Sequence, residues 1–312
     1  MKHPWKLTAV LLGMFLITQF IGLFVIGVYS DDVVSIVDPQ TGEIQDSVVV
    51  ESHDLPYGME PPSVDSGVGL FDIILSFIIA ITILLVLSKY RWKFLLRAWF
   101  FVVIVLALGI SLTAFLSWKF SFPNMSLWVL AAAVPLSFFK VYRPNILVHN
   151  LTELFIYPGI AVVFVPILRV YTVIILLILI AIYDMWAVWH SGIMQKMAKF
   201  QMDELKIFAG FFVPYLSKTM KIKIKKMSKK QLKKGVKVPV AILGGGDVVF
   251  PIITAGVFLN QYGIGHALFV IAGAFLGLAY LFMKSEKKKF YPAMPFIVTG
   301  ILIGIGLGFL VL

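Results

Sequence analysis

Two aspartates stand inside long apolar runs of this 312-residue chain. Asp247 lies in Ala241–Pro251, AILGGGDVVFP, directly after Gly244, Gly245 and Gly246. Asp184 lies in the run AIYDMWAV, directly after Tyr183. A carboxylate at the centre of a membrane-spanning helix costs roughly 2.5–3.5 kcal/mol on insertion scales. An acid in that setting marks a functional site by default. Each glycine weakens a helix by about 1 kcal/mol relative to Ala, so the stretch before Asp247 is loosened as well as charged. Two carboxylates brought together cannot both ionise easily and come to share a proton. The ionised one can take a proton from water while the protonated one polarises a carbonyl. Such a pair could hydrolyse a peptide bond without Ser, Cys or a metal ion. No acid–histidine cluster with ligand spacing points to a metal, and no cofactor is implied.

Two further features fit that chemistry. The glycines let the backbone leave a regular helix and approach another chain closely. An unwound segment offers free N–H and C=O groups to an extended substrate, as in strand addition. The stretch Tyr291–Phe296, YPAMPF, carries Pro292 and Pro295. Neither has an N–H, so a helix beginning there starts irregularly and leaves carbonyls exposed.

The elements that must position these groups are membrane helices. The chain is 60% hydrophobic and only 14% charged, with a mean hydropathy of +0.95. Ordinary soluble domains carry about 25% charged residues. Apolar runs of about 20 residues span a bilayer, and nine are expected, at 7–29, 69–88, 98–117, 125–140, 152–168, 170–190, 238–258, 263–283 and 291–312. The fold class is all-α, a polytopic membrane protein. The chain divides into residues 1–190 (six helices), the loop 191–237, and residues 238–312 (three helices). The run 7–29 also follows Lys2 and Lys6 as a signal peptide would. It is longer than the usual ~7–15 residues and lacks a small-residue cleavage site, which favours a retained span.

Charge orients the helices. Loop 30–66 holds nine acids, Asp31 to Asp65, and no Lys or Arg, and its Pro and Gly content suggests a hairpin near Pro39–Gly42. The positive-inside rule places this loop outside. Of the 27 Lys and Arg residues, all but Lys119 and Arg169 then fall inside. This puts the N-terminus in the cytoplasm and the C-terminus outside. Asp247 lies about 14 Å and Asp184 about 9 Å from the inner helix ends at 1.5 Å per residue, so both fall in the inner half and can meet if the two helices are neighbours. In the 191–237 loop, Leu205–Tyr215 is apolar but too short to span, which suggests an interfacial or re-entrant piece. The Lys-rich remainder, 218–237, suits an anionic lipid surface. It contains no aromatic to stack a base, so nucleic acid is not an expected partner. Glu153 is expected to open the fifth helix. Gly300, Gly304 and Gly308 share one face of the ninth, which suits close packing.

Together these pieces resemble the presenilin and signal peptide peptidase family of intramembrane aspartyl proteases. Tyr183-Asp184 matches the family's YD, Gly244-Gly245-Gly246-Asp247 its GxGD, and Pro292-Ala293-Met294 its PAL, with Met294 in place of Leu. The order and nine-helix count match over essentially the whole chain, and the compact form looks like an archaeal presenilin homologue. The resemblance implies catalytic Asp184 and Asp247. It implies that Tyr183, Gly244, Gly245, Gly246, Pro292, Ala293 and Met294 line the substrate cleft. It also implies single-span membrane-protein substrates with their N-termini outside, a multi-pass location in a prokaryotic, archaeal-type cell membrane, a possible homo-oligomer, and slow self-cleavage between about 200 and 220. A proton-coupled transporter could use the same buried aspartates. The absence of a visible internal repeat and the inner-half placement of both acids count against that reading. A prepilin-type peptidase would carry cysteines, and this chain has none. A structural scaffold would leave two buried acids unexplained.

Overall fold

The computed structural model describes residues 5–30, 32–37, 44–51, 55–59, 70–89, 92–120, 124–143, 145–191, 209–214, 240–285 and 291–312. Among them are nine α-helices: α1 Trp5–Tyr29, α2 Leu70–Lys89, α3 Lys93–Ser117, α4 Met125–Tyr142, α5 Ile146–Phe164, α6 Val170–Trp186, α7 Gly245–Tyr262, α8 Ile264–Lys284 and α9 Met294–Val311. Seven helices, α1, α3, α4, α5, α6, α8 and α9, are long and apolar enough to cross a membrane. Their outward faces carry large apolar side chains such as Phe94, Trp99, Leu127, Leu147, Leu276 and Leu310. This is the surface expected of a protein whose solvent is lipid.

Two β-ribbons qualify the all-α expectation. β1 (Asp32–Val37) and β2 (Ile44–Glu51) pair antiparallel. They flank the expected turn at Pro39–Gly42, which lies outside the described residues. β3 (Gly210–Pro214) and β4 (Val240–Gly244) form the second ribbon, with Gly210 opposite Gly244 and Pro214 opposite Val240. The seventh helix therefore starts at Gly245 rather than 238. Val240 and Ile242 are β-branched and favour an extended backbone, the glycines that follow weaken any helix there, and β3 supplies the hydrogen-bonding partner. The apolar piece Leu205–Tyr215 is in part this strand. The Lys-rich stretch 218–237 lies outside the described residues.

α5 begins at Ile146, earlier than 152, because the Asn145 side chain accepts from the Leu147 N–H at 2.9 Å and caps the helix. Glu153 is consequently two turns inside the helix and not at its start. α6 is continued by a π-helical turn, Ala187–Ser191. α9 starts at Met294, because Pro292 and Ala293 lie outside its regular turns.

α7 occupies the middle. Pro251 through Phe258 are buried without a break, as a helix surrounded on all sides requires. The larger core joins α7 to α1, α5, α6, α8 and α9, and includes Phe15, Leu177, Phe211, Ile252, Phe258 and Ile301. A second core, with Leu96, Leu108, Ala133 and Ile156, joins α3 and α4 to α5. Between helices in lipid there is little apolar transfer to gain, so close packing carries the association. α8 and α9 show this directly. A methyl group at Gly273 would overlap the Gly300 carbonyl, one at Gly277 the Phe296 carbonyl, and one at Gly304 the Phe269 carbonyl. Gly308 packs more loosely on Phe269 and His266, and Gly306 faces open space.

Gly273→Ala and Gly300→Ala are therefore expected to destabilise the protein by about 1–3 kcal/mol, the usual cost of overpacking. Gly306→Ala is expected to leave stability unchanged or raise it by up to about 1 kcal/mol. Thermal unfolding of the purified variants in detergent checks the contrast.

Candidate active site

β4 leads straight into the site. Its last residue, Gly244, is extended at φ −64° and ψ 145°, and α7 begins with Gly245. Asp247 then falls in the first turn of α7, where free backbone N–H groups favour a nearby carboxylate. Its carboxylate folds back on β4 and takes a backbone hydrogen bond from Gly244. A methyl group at Gly244 would sit 3.0 Å from Asp247 Oδ2, and one at Gly245 would sit 2.8 Å from the Tyr157 hydroxyl. Gly246 is exposed and meets only its own helix neighbour Phe250, at 3.9 Å. The first two glycines are thus required by close neighbours, and the third keeps space open beside Asp247.

Asp184 sits in the last turn of α6 and is 7% exposed. Its Oδ2 accepts the Met294 N–H at 3.1 Å, and the Ala293 backbone also bonds to this carboxylate. The α9 start presents N–H groups to Asp184, because the first turn of a helix leaves its amide donors unpaired. The structure thus brings Asp184, Ala293 and Met294 into direct contact, with Pro292 buried beside them. α6 packs against α7, which brings the Asp184 and Asp247 carboxylates within electrostatic range of one another. Tyr183 is 54% exposed, and its ring lies 6.2 Å from that of Trp186. Among the described residues no three His, Asp or Glu side chains converge as a metal site would require.

Hydrogen-bond parity defines the edges of the β3–β4 ribbon. The Asn150 side chain bonds both backbone groups of Phe212, accepting from its N–H at 3.0 Å and donating to its C=O at 2.7 Å. Phe212 therefore faces α5, so Phe211 and Val213 face β4. Across the register, Leu243 and Ala241 face β3. The Gly245 N–H, bonded to the Ala209 C=O at 3.1 Å, continues the same alternation. The backbone groups of Val240, Ile242 and Gly244 then point to the opposite edge. Among the described residues no strand pairs with that edge.

Several neighbours of the site were not expected there from the sequence. Gln19 on α1 is fully buried and donates to the Val248 carbonyl at 3.1 Å, one residue after Asp247. Tyr157 lies between Gly245 and Phe211. Lys140 and Glu153 form a buried ion pair at 2.7 Å, with side chains only 4% and 2% exposed. The sequence did carry a signal for part of this group. His149, Glu153 and Tyr157 recur every fourth residue, which puts them on one helix face.

Residues 14–312 match the protein family described as "Signal-peptide peptidase, presenilin aspartyl protease". Two solved structures of a presenilin family intramembrane aspartate protease share the fold. The one in a C222 crystal has a TM-score of 0.60 at 16% identity, covering 98% of this chain and 99% of its own. The one in a P2 crystal has a TM-score of 0.57 at 18% identity, covering 97% and 98%. No curated protein matches the chain. The multi-pass helical fold, the match over nearly the whole length and the ordered apposition of the two aspartates agree: the chain belongs to the signal-peptide peptidase and presenilin family of aspartyl proteases.

Proposed function

We propose that the protein is an endopeptidase that cuts transmembrane segments of other membrane proteins, with Asp184 and Asp247 as its catalytic dyad. The observation that carries this reading is the apposition of the two acids at the ends of α6 and β4–α7, with the Met294 N–H on Asp184. One aspartate, ionised, removes a proton from water. The water oxygen bonds to the scissile carbonyl carbon, while the other, protonated aspartate donates to the carbonyl oxygen. The tetrahedral intermediate collapses as the C–N bond breaks: the newly protonated aspartate gives its proton to the leaving nitrogen, and a hydroxyl of the intermediate returns a proton to the other aspartate as the carboxyl C=O forms. The backbone N–H groups of Ala293 and Met294 hold the Asp184 carboxylate in place through both steps.

A helical substrate hides its peptide bonds. The outer edge of β4 offers the Ile242 N–H and C=O to an extended strand, and the ribbon ends at Gly244 against Asp247. A substrate added there would be unwound and delivered to the dyad in one step. In this reading Gly246 leaves room for it, and Tyr183 and the Pro292–Met294 segment border it. Nine spans with the N-terminus in the cytoplasm would put the cut in the inner half of the bilayer, in substrates whose N-termini face outside. Of the stretch expected to cleave itself, Gly210–Pro214 forms strand β3 of this ribbon, directly after Ala209. The rest lies outside the described residues.

Cleavage of a single-span substrate by the purified protein tests the dyad. Asp184→Ala and Asp247→Ala are each expected to lower kcat by at least about a thousandfold, within the range of general acid–base catalysis, while remaining folded. A folded variant that cuts at the parental rate would rule the dyad out. The β4 edge has its own test. Ile242→Pro removes an outward N–H without touching the β3–β4 ladder, as proline can on an edge strand. It is expected to raise KM with little change in thermal stability. Ala241→Pro, which removes a ladder bond to Val213, is expected to lower stability as well.

A further inference from the structure

The strand that supports β4 is itself held in an unusual way. An edge strand normally turns its free backbone groups to water, to another strand or to a covering element. On β3 those groups are taken up by side chains of α5. The His149 ring meets the Gly210 carbonyl at 2.7 Å through Nε2. Glu153 Oε1 lies 3.4 Å from the Gly210 N–H. Asn150 holds both groups of Phe212. Lys140 fixes the arrangement from α4, donating to Glu153 at 2.7 Å and to His149 Nδ1 at 3.2 Å. With Nδ1 accepting, the ring proton lies on Nε2, where it can donate to the Gly210 carbonyl. Tyr157 completes the face, packing edge-on against Phe211 at 5.7 Å.

We propose that His149, Asn150 and Glu153, backed by Lys140, are positioning residues that clamp β3 to α5 and so fix the register of the ribbon carrying Asp247 and the substrate-accepting edge. The proposal rests on the protease reading above. A buried ion pair adds little to stability, because desolvation offsets its attraction, and its best-attested use is to specify one register among several. The clamp has that form. It grips two alternate residues of one strand, and a shift of β3 by one residue would turn those groups away. The clamp reaches the dyad through the ladder: α5 to Gly210 and Phe212, then Phe211 and Val213 to Leu243 and Ala241, then Gly244 to Asp247.

The test is kcat and KM for cleavage of a single-span substrate by full-length His149→Leu, Asn150→Leu and His149→Gln, each alone and combined with Ile242→Pro, with cleavage positions read by mass spectrometry. His149→Leu and Asn150→Leu are expected to lower kcat/KM by about tenfold, on the scale of one lost hydrogen bond, mainly through KM and with scattered cleavage positions. His149→Gln, whose amide can still donate to Gly210, is expected to keep most of the parental activity. Losses combined with Ile242→Pro are expected to be less than multiplicative, since both changes act through one edge. Should His149→Leu fail to fold, the half-buried Asn150 carries the test. Parental kcat/KM in folded Asn150→Leu, fully multiplicative losses, or a His149→Gln variant no better than His149→Leu would overturn the proposal. Failure of the protease reading would show separately, as cleavage that survives Asp184→Ala or Asp247→Ala.

Discussion

Away from water, every backbone N–H and C=O needs a partner, and this requirement governs the molecule. Helices meet it internally, which is why membrane spans are helical. The segment before Asp247 gives up that solution. Its extended residues, Val240–Gly244, depend on β3 along one edge, and β3 depends in turn on side chains of α5. A non-helical piece is tolerated at such a place only where protein encloses it or a cavity borders it. The nested support of α4, α5, β3 and β4 supplies the enclosure on one side. The other edge of β4 has no strand partner among the described residues, which is what the proposed substrate addition requires.

The same demand appears at α9 in a different form. A helix start always leaves amide donors unpaired. Here two of them are turned on Asp184, from the Ala293–Met294 segment. The carboxylate caps the helix and the helix orients the carboxylate. α9 is in turn seated on α8 by glycine-to-backbone contacts, so the position of the Asp184 partner depends on main chain rather than on adjustable side chains.

Much of this was legible in the sequence because it is local. The apolar runs marked the helices, the cost of a charge in such a run marked Asp184 and Asp247, and the prolines marked the α9 start. The β3–β4 ribbon was not legible in the same way. Its strands are separated by the Lys-rich stretch, each is five residues long, and an apolar run that short looks alike as strand or helix end. Glu153 was misplaced for a related reason. Without the cap at Asn145, the polar residues His149 and Asn150 look like loop. Once they belong to α5, their spacing with Glu153 and Tyr157 describes a buried face. Lys140 looked like a cytoplasmic topology charge, because sequence alone does not distinguish a lysine at the membrane surface from one enclosed beneath it.

Pro251 lies inside α7, four residues after Asp247. Proline has no N–H, so the helix cannot return the hydrogen bond that the Asp247 main-chain carbonyl would otherwise accept. Leaving such a group dry costs on the order of 1–3 kcal/mol. The least costly remedy is hydration, and a carbonyl adjoining the carboxylate it belongs to offers a water two acceptors at once. Pro251 thus leaves an acceptor for water beside the Asp247 carboxylate, where the hydrolysis proposed above would need one.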